Sequence, residues 1–247
     1  MTSTEAAARG DSLSDRFLVA FARTEEALQG VLGAGEKESF RWLVRQAARH
    51  DPLVRSVEED LVELSELRNA IVHDRGGGYV VAEPHLEVVT RLENIVDLIT
   101  DPPKIDAVMS RPVLTCRPDE PVAEAAARMV EGDLYRLPVY EDDDRLVGML
   151  TANALARWIA RKLAGPVDTL REEPVRQVLG HGDNGQRWAV VARDSLVTDV
   201  VALFDEAPRA GRRLEAVLVT PTGSESERAI GIVTVQDLPG MYALIRP

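Results

Sequence analysis

A phrase that occurs twice constrains this 247-residue chain more than any other feature. It reads VGMLTANAL over 147–155 and IGIVTVQDL over 230–238. Each is a strand-like apolar run closed by Thr, with polar, helix-starting residues behind it. The repeat extends upstream. CRPDEPVAEAAARM (116–129) aligns with VARDSLVTDVVALF (191–204), and RLPVY (136–140) with LEAVL (214–218). Two copies of this length imply two similar units packed together, each burying a face that it cannot bury alone. Each copy reads strand, helix, strand, strand, helix. The first uses 113–115, 122–129, 137–140, 146–150 and 152–162; the second uses 188–192, 197–206, 216–219, 229–233 and 235–244. The spacing is unequal: Val122 to Val139 is 17 steps against 20 from Val197 to Val217, and Val139 to Thr151 is 12 against 17 from Val217 to Thr234.

These residues resemble a tandem pair of CBS domains, the module named after cystathionine β-synthase that senses adenine nucleotides. The family pattern ends in Gly, two apolar residues, Thr or Ser, two more residues and Asp. The second copy carries it whole as Gly231, Ile232, Val233, Thr234 and Asp237. The first has Gly148, Met149, Leu150 and Thr151, but Ala154 stands at the Asp position. The resemblance covers residues 105–241, with a first repeat over 105–163 and a second over 174–241. It implies that Asp237 takes ribose hydroxyls, that Thr234 and Thr151 help to hold phosphate, and that Pro138 and Val139 line the base. Ala216 takes the Pro position in the second copy. The implied ligand is an adenine nucleotide (AMP, ADP or ATP) acting as a regulator, and no cofactor is required.

Residues 1–12 are small and polar, a composition expected to stay disordered. Helical periodicity follows. Phe17, Phe21, Thr24, Leu28 and Val31 share one face, and Gly33 and Gly35 end the helix. A second helix over 37–50 turns Phe40, Leu43, Val44 and Ala47 inward. A third opens at Asp51-Pro52 and carries Val54, Val57, Leu61, Leu64, Leu67 and Ile71 on its buried stripe. Gly76, Gly77 and Gly78 break the chain before a fourth helix over 83–99. Four helices with short connections read as a bundle over 13–100. The stiff link Asp101-Pro102-Pro103-Lys104 joins it to the repeats. The expected fold is therefore multidomain, α plus α/β: a four-helix bundle followed by two β-α-β-β-α repeats.

The third helix ends in ELRNAIVHD. Arg68, Asn69 and His73 resemble the Arg, polar, three residues, His signature of the HEPN superfamily, and the bundle over about 13–100 fits it. Many HEPN proteins are metal-independent ribonucleases, and some only bind nucleotides or scaffold. The residue types suit that chemistry. A His can take a proton from a ribose 2′-hydroxyl, and an Arg fork can hold phosphate and its developing charge. On an ideal helix Arg68 and His73 lie about 140° apart, whereas Asn69 and His73 lie about 40° apart. One helix thus presents Asn with His and turns Arg aside. The resemblance implies that a second protomer completes such a site across a dimer.

The net charge of −12 opposes general affinity for nucleic acid, and specific DNA binding is not expected. Yet Lys37, Arg41, Arg45 and Arg49 recur every four residues and form a basic strip that could meet an RNA backbone. The plainer reading of the strip is the solvated side of an amphipathic helix. No apolar run approaches a membrane span, and the N-terminus lacks the pattern of a secretion signal, so a cytoplasmic home is expected. The single cysteine, Cys116, excludes an internal disulfide. No metal is expected, because His50, His73, His85 and His181 show no ligand spacing. Two functions stay open. One is a homodimeric regulator that senses an adenine nucleotide and transmits its state to the helical domain. The other is a nucleotide-gated, metal-independent endoribonuclease that uses Arg68 and His73 across the dimer, with Asn69 orienting them.

Overall fold

The computed structural model describes residues 12–33, 35, 37–73, 83–163, 170–181 and 188–246, with His73 described by its backbone alone. The disorder expected of residues 1–12, apart from Ser12, and the glycine break at 76–78 lie outside the described residues. The chain divides into two compact units: Met1–Pro103 with Tyr242–Pro247, and Lys104–Met241.

The first unit is helical. Helix α1 (Leu13–Leu32) starts at Ser12, whose hydroxyl accepts the Asp15 N–H at 3.1 Å. It stops at Gly33, where φ is 61° and the N–H reaches back to the Gln29 and Gly30 carbonyls. Phe17, Phe21, Thr24 and Leu28 are buried as the periodicity predicts. Val31 is not: it sits in the last turn before the cap, and its side chain is 52% exposed. Helix α2 (Phe40–His50) buries Leu43, Val44, Ala47 and Ala48, and Phe40 packs on the Phe21 ring at 4.3 Å.

The expected third helix is two helices, α3 (Pro52–Ser56) and α4 (Glu58–His73), broken at Val57. Local hydrogen bonds explain the break. Asp51 Oδ1 accepts the Leu53 and Val54 N–H groups, and Arg55 folds back to donate to the Ala48 and Arg49 carbonyls at 2.8 and 3.0 Å. These bonds satisfy the open end of α2 and hold α3 against it rather than in line with α4. Val54, Val57 and Leu61 are all fully or almost fully buried. The apolar stripe therefore runs straight through the break, and periodicity cannot reveal it. Helix α5 (Leu86–Thr100) buries Val89, Leu92, Ile95 and Val96 in the same core. Arg16 grips Glu93 with two bonds of 3.1 and 2.7 Å, which ties α1 to α5.

The second unit begins with a 3-10 turn (Ile105–Ala107) and continues through α6 (Val122–Glu131), β1 (Arg136–Tyr140), β2 (Leu146–Thr151), α7 (Ala152–Lys162), α8 (Arg176–Leu179), β3 (Trp188–Ala192), α9 (Val197–Arg209), β4 (Ala216–Thr220), β5 (Gly231–Val233) and, as far as Met241, α10 (Leu238–Leu244). β1 and β2 pair antiparallel; β3 runs parallel to β4, which pairs antiparallel with β5. The strand expected over 113–115 does not form. Cys116 alone bridges Val139, donating to the Pro138 carbonyl and accepting from the Tyr140 N–H, both at 3.0 Å.

Strand register corrects the alignment of the two copies. Val139 faces Gly148, and Val219 faces Gly231. RLPVY therefore corresponds to β4, AVLVT, and not to LEAVL two residues earlier. Leu218, not Ala216, occupies the place of Pro138. α9 has 13 residues against 10 in α6, so the longer helix supplies three of the extra residues before β4, and the loop after it supplies the rest.

The copies are also crossed at their leading segments. Ile105 N–H donates to the Ser195 carbonyl at 2.8 Å, and Val175 N–H to the Glu120 carbonyl at 3.0 Å. Met109, just after the first of these, packs on Gly231 so closely that a Cβ there would lie 2.0 Å from its sulfur. Leu179 packs on Gly148 in the same way, with a Cβ meeting its Cδ1 at 3.0 Å. Each glycine of the repeated phrase thus admits the lead-in of the opposite copy.

Candidate functional site

The crossing opens a cleft of about 140 Å³ between the two copies. One wall is the segment holding Pro112, Val113 and Leu114. Another is the loop from Asp133 to Tyr135 with Arg136 at the start of β1. The third is the end of β5 and the turn that follows, with Ile232, Thr234, Gln236 and Asp237.

Asp237 is fixed by that turn. Its Oδ2 accepts the Thr234 N–H at 2.7 Å and the Thr234 hydroxyl at 3.1 Å. The Thr234 hydroxyl in turn accepts the Gln236 N–H at 3.3 Å. These bonds delay the start of the closing helix, so α10 begins at Leu238 and not at 235 as expected. They hold a carboxylate at the cleft wall, where its second oxygen accepts no hydrogen bond among the described residues. Such an oxygen can accept a pair of vicinal hydroxyls.

Thr151 is placed differently. It is buried, and its hydroxyl accepts the Ala154 N–H at 3.1 Å as the N-cap of α7. Ala154 is buried too, so no carboxylate stands in the matching place. Pro138 and Val139 are buried in β1, and Val139 belongs to the core of the first copy. None of Thr151, Pro138 and Val139 lines the 140 Å³ cleft.

Arg136 was not among the residues singled out in the sequence. Its side chain is only 13% exposed, and it donates to the Glu215 carbonyl from Nη1 while Nη2 lies 3.9 Å from the Glu215 carboxylate. Its Nε–H is buried with no partner among the described residues. Burial pulls the guanidinium pKa down, Glu215 opposes this, Arg213 adds to it, and Asp237 opposes it again. A charged donor without a partner in a buried wall is costly unless something fills the place. The signal available in the sequence was a charged residue opening an otherwise apolar strand.

In the helical unit, Arg68 is half-buried with its guanidinium 5.9 Å from the Phe21 ring centre, and its Nη1 donates to Asn69 Oδ1 at 3.4 Å. Asn69 is exposed. The His73 side chain lies outside the described residues. Arg41, Arg45 and Arg49 are exposed along α2, whereas Lys37 precedes the helix. Arg41 pairs with Glu66 at 2.6 Å, and Arg49 donates to Gln46. Cys116 is an inert thiol: burial, then the Glu120 carboxylate, push its pKa up to about 12 against the pull of Arg128. Among the described residues no group of three or more His, Cys, Asp or Glu side chains could hold a metal ion. No described helix is long and apolar enough to cross a membrane.

The CBS domain family model matches residues 105–161. Over 85 residues, 30% of the chain, the sequence is 33% identical to homoserine O-acetyltransferase of Methanohalobium evestigatum and covers 17% of it. Over 123 residues, 45% of the chain, it is 28% identical to L-aspartate semialdehyde sulfurtransferase of Methanosarcina acetivorans and covers 24% of it. The chain thus spans less than a quarter of either relative. Similar solved structures include CBSX2 in complex with AMP, at 18% identity over 59% of this chain and 99% of that one, with a TM-score of 0.44. A CBS domain pair in complex with 5′-methylthioadenosine and S-adenosyl-L-methionine is 19% identical over 57% of this chain and 97% of that one, with a TM-score of 0.41. The CBS domain of a membrane protein from Sphaerobacter thermophilus is 24% identical over 57% and 88%, with a TM-score of 0.42. Residues 105–161 are a CBS domain.

Proposed function

We propose that the second copy is a CBS repeat as well, and that the pair binds one adenine nucleotide per chain in the 140 Å³ cleft, as a regulatory signal to the helical domain. The observation that carries this reading is the Thr234–Asp237 turn, which holds a carboxylate on one wall while the buried Arg136 occupies another. Ribose hydroxyls suit the carboxylate, and a phosphate suits the guanidinium. The family match over 105–161 and the crossed pairing of the copies support it further. Occupancy of one site is the consequence of Ala154, which leaves the first copy of the motif without an acceptor for hydroxyls. A homodimer fits this regulatory role.

Isothermal titration of the full chain with AMP and ATP tests the reading. Asp237→Ala removes about two hydrogen bonds to a charged acceptor, roughly 2–4 kcal/mol, and affinity falls about 30- to 1,000-fold. Unchanged titrations for that variant would sink the assignment.

A second reading attaches to α4, where Arg68 and Asn69 are hydrogen-bonded side by side in the HEPN-like motif. In it the nucleotide gates metal-independent RNA cleavage by Arg68 and His73 across the dimer, with the strip from Lys37 to Arg49 meeting RNA. Labelled single-stranded RNA in EDTA, with and without adenine nucleotide, decides it. A 2′,3′-cyclic phosphate product lost in His73→Ala supports cleavage, and no product in any nucleotide state leaves the regulator alone.

A further inference from the structure

The charges that line the 140 Å³ cleft are few and unbalanced. Asp133 and Asp237 supply two carboxylates, and Arg136 supplies one guanidinium. Among the described residues that line it there is no lysine and no glycine. A chain of phosphates is ordinarily held by several cations or by a glycine-rich backbone cradle. This cleft offers neither, on a chain whose net charge is −12.

Arg136 brings less than a free guanidinium. Its Nη1 donates to the Glu215 carbonyl, and its Nη2 lies 3.9 Å from the Glu215 carboxylate. Its Nε–H is buried and lacks a partner among the described residues. One such donor can answer one phosphate. Asp133 acts in the opposite sense. It is exposed on the same wall, and its carboxylate has no ion pair among the described residues. The backbone fixes it there. Its φ is 49°, its N–H donates to the Val130 carbonyl at 3.2 Å, and the Leu134 N–H donates to the Met129 carbonyl at 2.7 Å. Aspartate and asparagine both tolerate this left-handed conformation.

We infer that the cleft is matched to a single phosphate: it takes an adenine nucleoside monophosphate and turns away the di- and triphosphate, and Asp133 sets that limit. The inference rests on the nucleotide reading above for its ligand. The first phosphate gains the open Arg136 donor. Each further phosphate adds negative charge against a wall that carries Asp133 and no second cation. Affinity should therefore pass through a maximum at one phosphate. AMP should bind about tenfold or more tighter than adenosine, the worth of one hydrogen bond between charged groups. ATP should bind about tenfold weaker than AMP, through like-charge repulsion across a partly screened gap.

Calorimetric titration of the full chain with adenosine, AMP, ADP and ATP tests this, in EDTA so that no divalent cation masks the added phosphates. The expected order is AMP tightest, then ADP, then ATP, with adenosine also below AMP. Asp133→Asn keeps the backbone conformation and removes the charge. It should raise ATP affinity more than AMP affinity and narrow their ratio at least about threefold. This variant separates the local carboxylate from the repulsion of the whole chain, which it changes by one charge in twelve. Raising salt from about 0.01 M to about 1 M, which shortens the Debye length from about 30 Å to about 3 Å, should narrow the same ratio in the parent. Arg136→Gln should bring AMP down to the affinity of adenosine. If that buried variant does not fold, the adenosine and AMP titrations of the parent carry the same comparison. ATP binding as tightly as AMP in the parent, adenosine binding as tightly as AMP, or a ratio unmoved by Asp133→Asn overturns the inference while leaving the nucleotide reading intact. Failure of all four ligands to bind overturns the nucleotide reading, and this inference with it.

Discussion

The crossed packing of the two copies makes a sharp thermodynamic prediction at Gly231. An added methyl there would sit 2.0 Å from Met109 Sδ and 2.5 Å from its Cγ, so the Met side chain must leave its place. Met109 is 6% exposed, and overpacking a site of this kind costs about 1–3 kcal/mol. The backbone gain of Ala over Gly in a strand, roughly 0.5–1 kcal/mol, offsets only part of that. Gly231→Ala alone should therefore destabilise by about 1–2 kcal/mol. Met109→Ala alone removes a buried side chain and should cost about 2–5 kcal/mol. The double variant has room for the new methyl and should be no less stable than Met109→Ala, giving a coupling energy of about 1–3 kcal/mol. Urea unfolding of the four chains at constant m value measures it. Gly148→Ala is the internal comparison: its methyl would meet Leu179 Cδ1 at 3.0 Å, a contact that a small rotation of a leucine relieves, so its cost should be under about 1 kcal/mol. Strict additivity of Gly231→Ala and Met109→Ala, or an equal cost at the two glycines, would refute the crossed arrangement. Because Ser110 and Ile232 line the 140 Å³ cleft and bond to each other at 2.9 and 3.1 Å, Gly231→Ala should also lower AMP affinity if the proposed site is right.

Thr151→Ala should lower stability by about 1 kcal/mol through loss of the α7 N-cap, with little change in AMP titration, because Thr151 is not in the cleft. Alkaline pH should destabilise the fold through Cys116. Its folded pKa of about 12 stands above the ordinary 9.0, so its contribution is complete below pH 9 and is lost as pH rises from 9 toward 12. At about pH 10.5 the loss is roughly 2 kcal/mol, and Cys116→Ala should remove it from the difference between unfolding curves at pH 8 and pH 10.5.

Much of this architecture is local and therefore legible in residue order. The 3.6-residue stripes of α1, α2 and α4 name most of their own buried faces, because one side of each must meet a core. The repeated Gly-to-Thr phrase announces two copies, and Asp237 against Ala154 announces that the copies differ. Other features depend on what each segment meets in space. The break at Val57 is made by Asp51 and Arg55 bonding across to α2, while the apolar stripe continues unbroken through it. The two-residue error in matching RLPVY arises because spacing along one chain cannot say how much of an insertion a helix absorbs; only pairing with β5 fixes the register of β4. Arg136, Glu215 and Arg213 carry no motif at all. For Arg136 and Glu215 the meaning comes from burial, since water barely screens their pairing at 13% and 7% exposure, whereas Arg213 is 68% exposed. Sequence determined the elements and their pairing into copies, whose causes are local in the chain. The tertiary structure alone decided which charges are buried and which walls make a cleft, because residues distant in sequence meet only through packing.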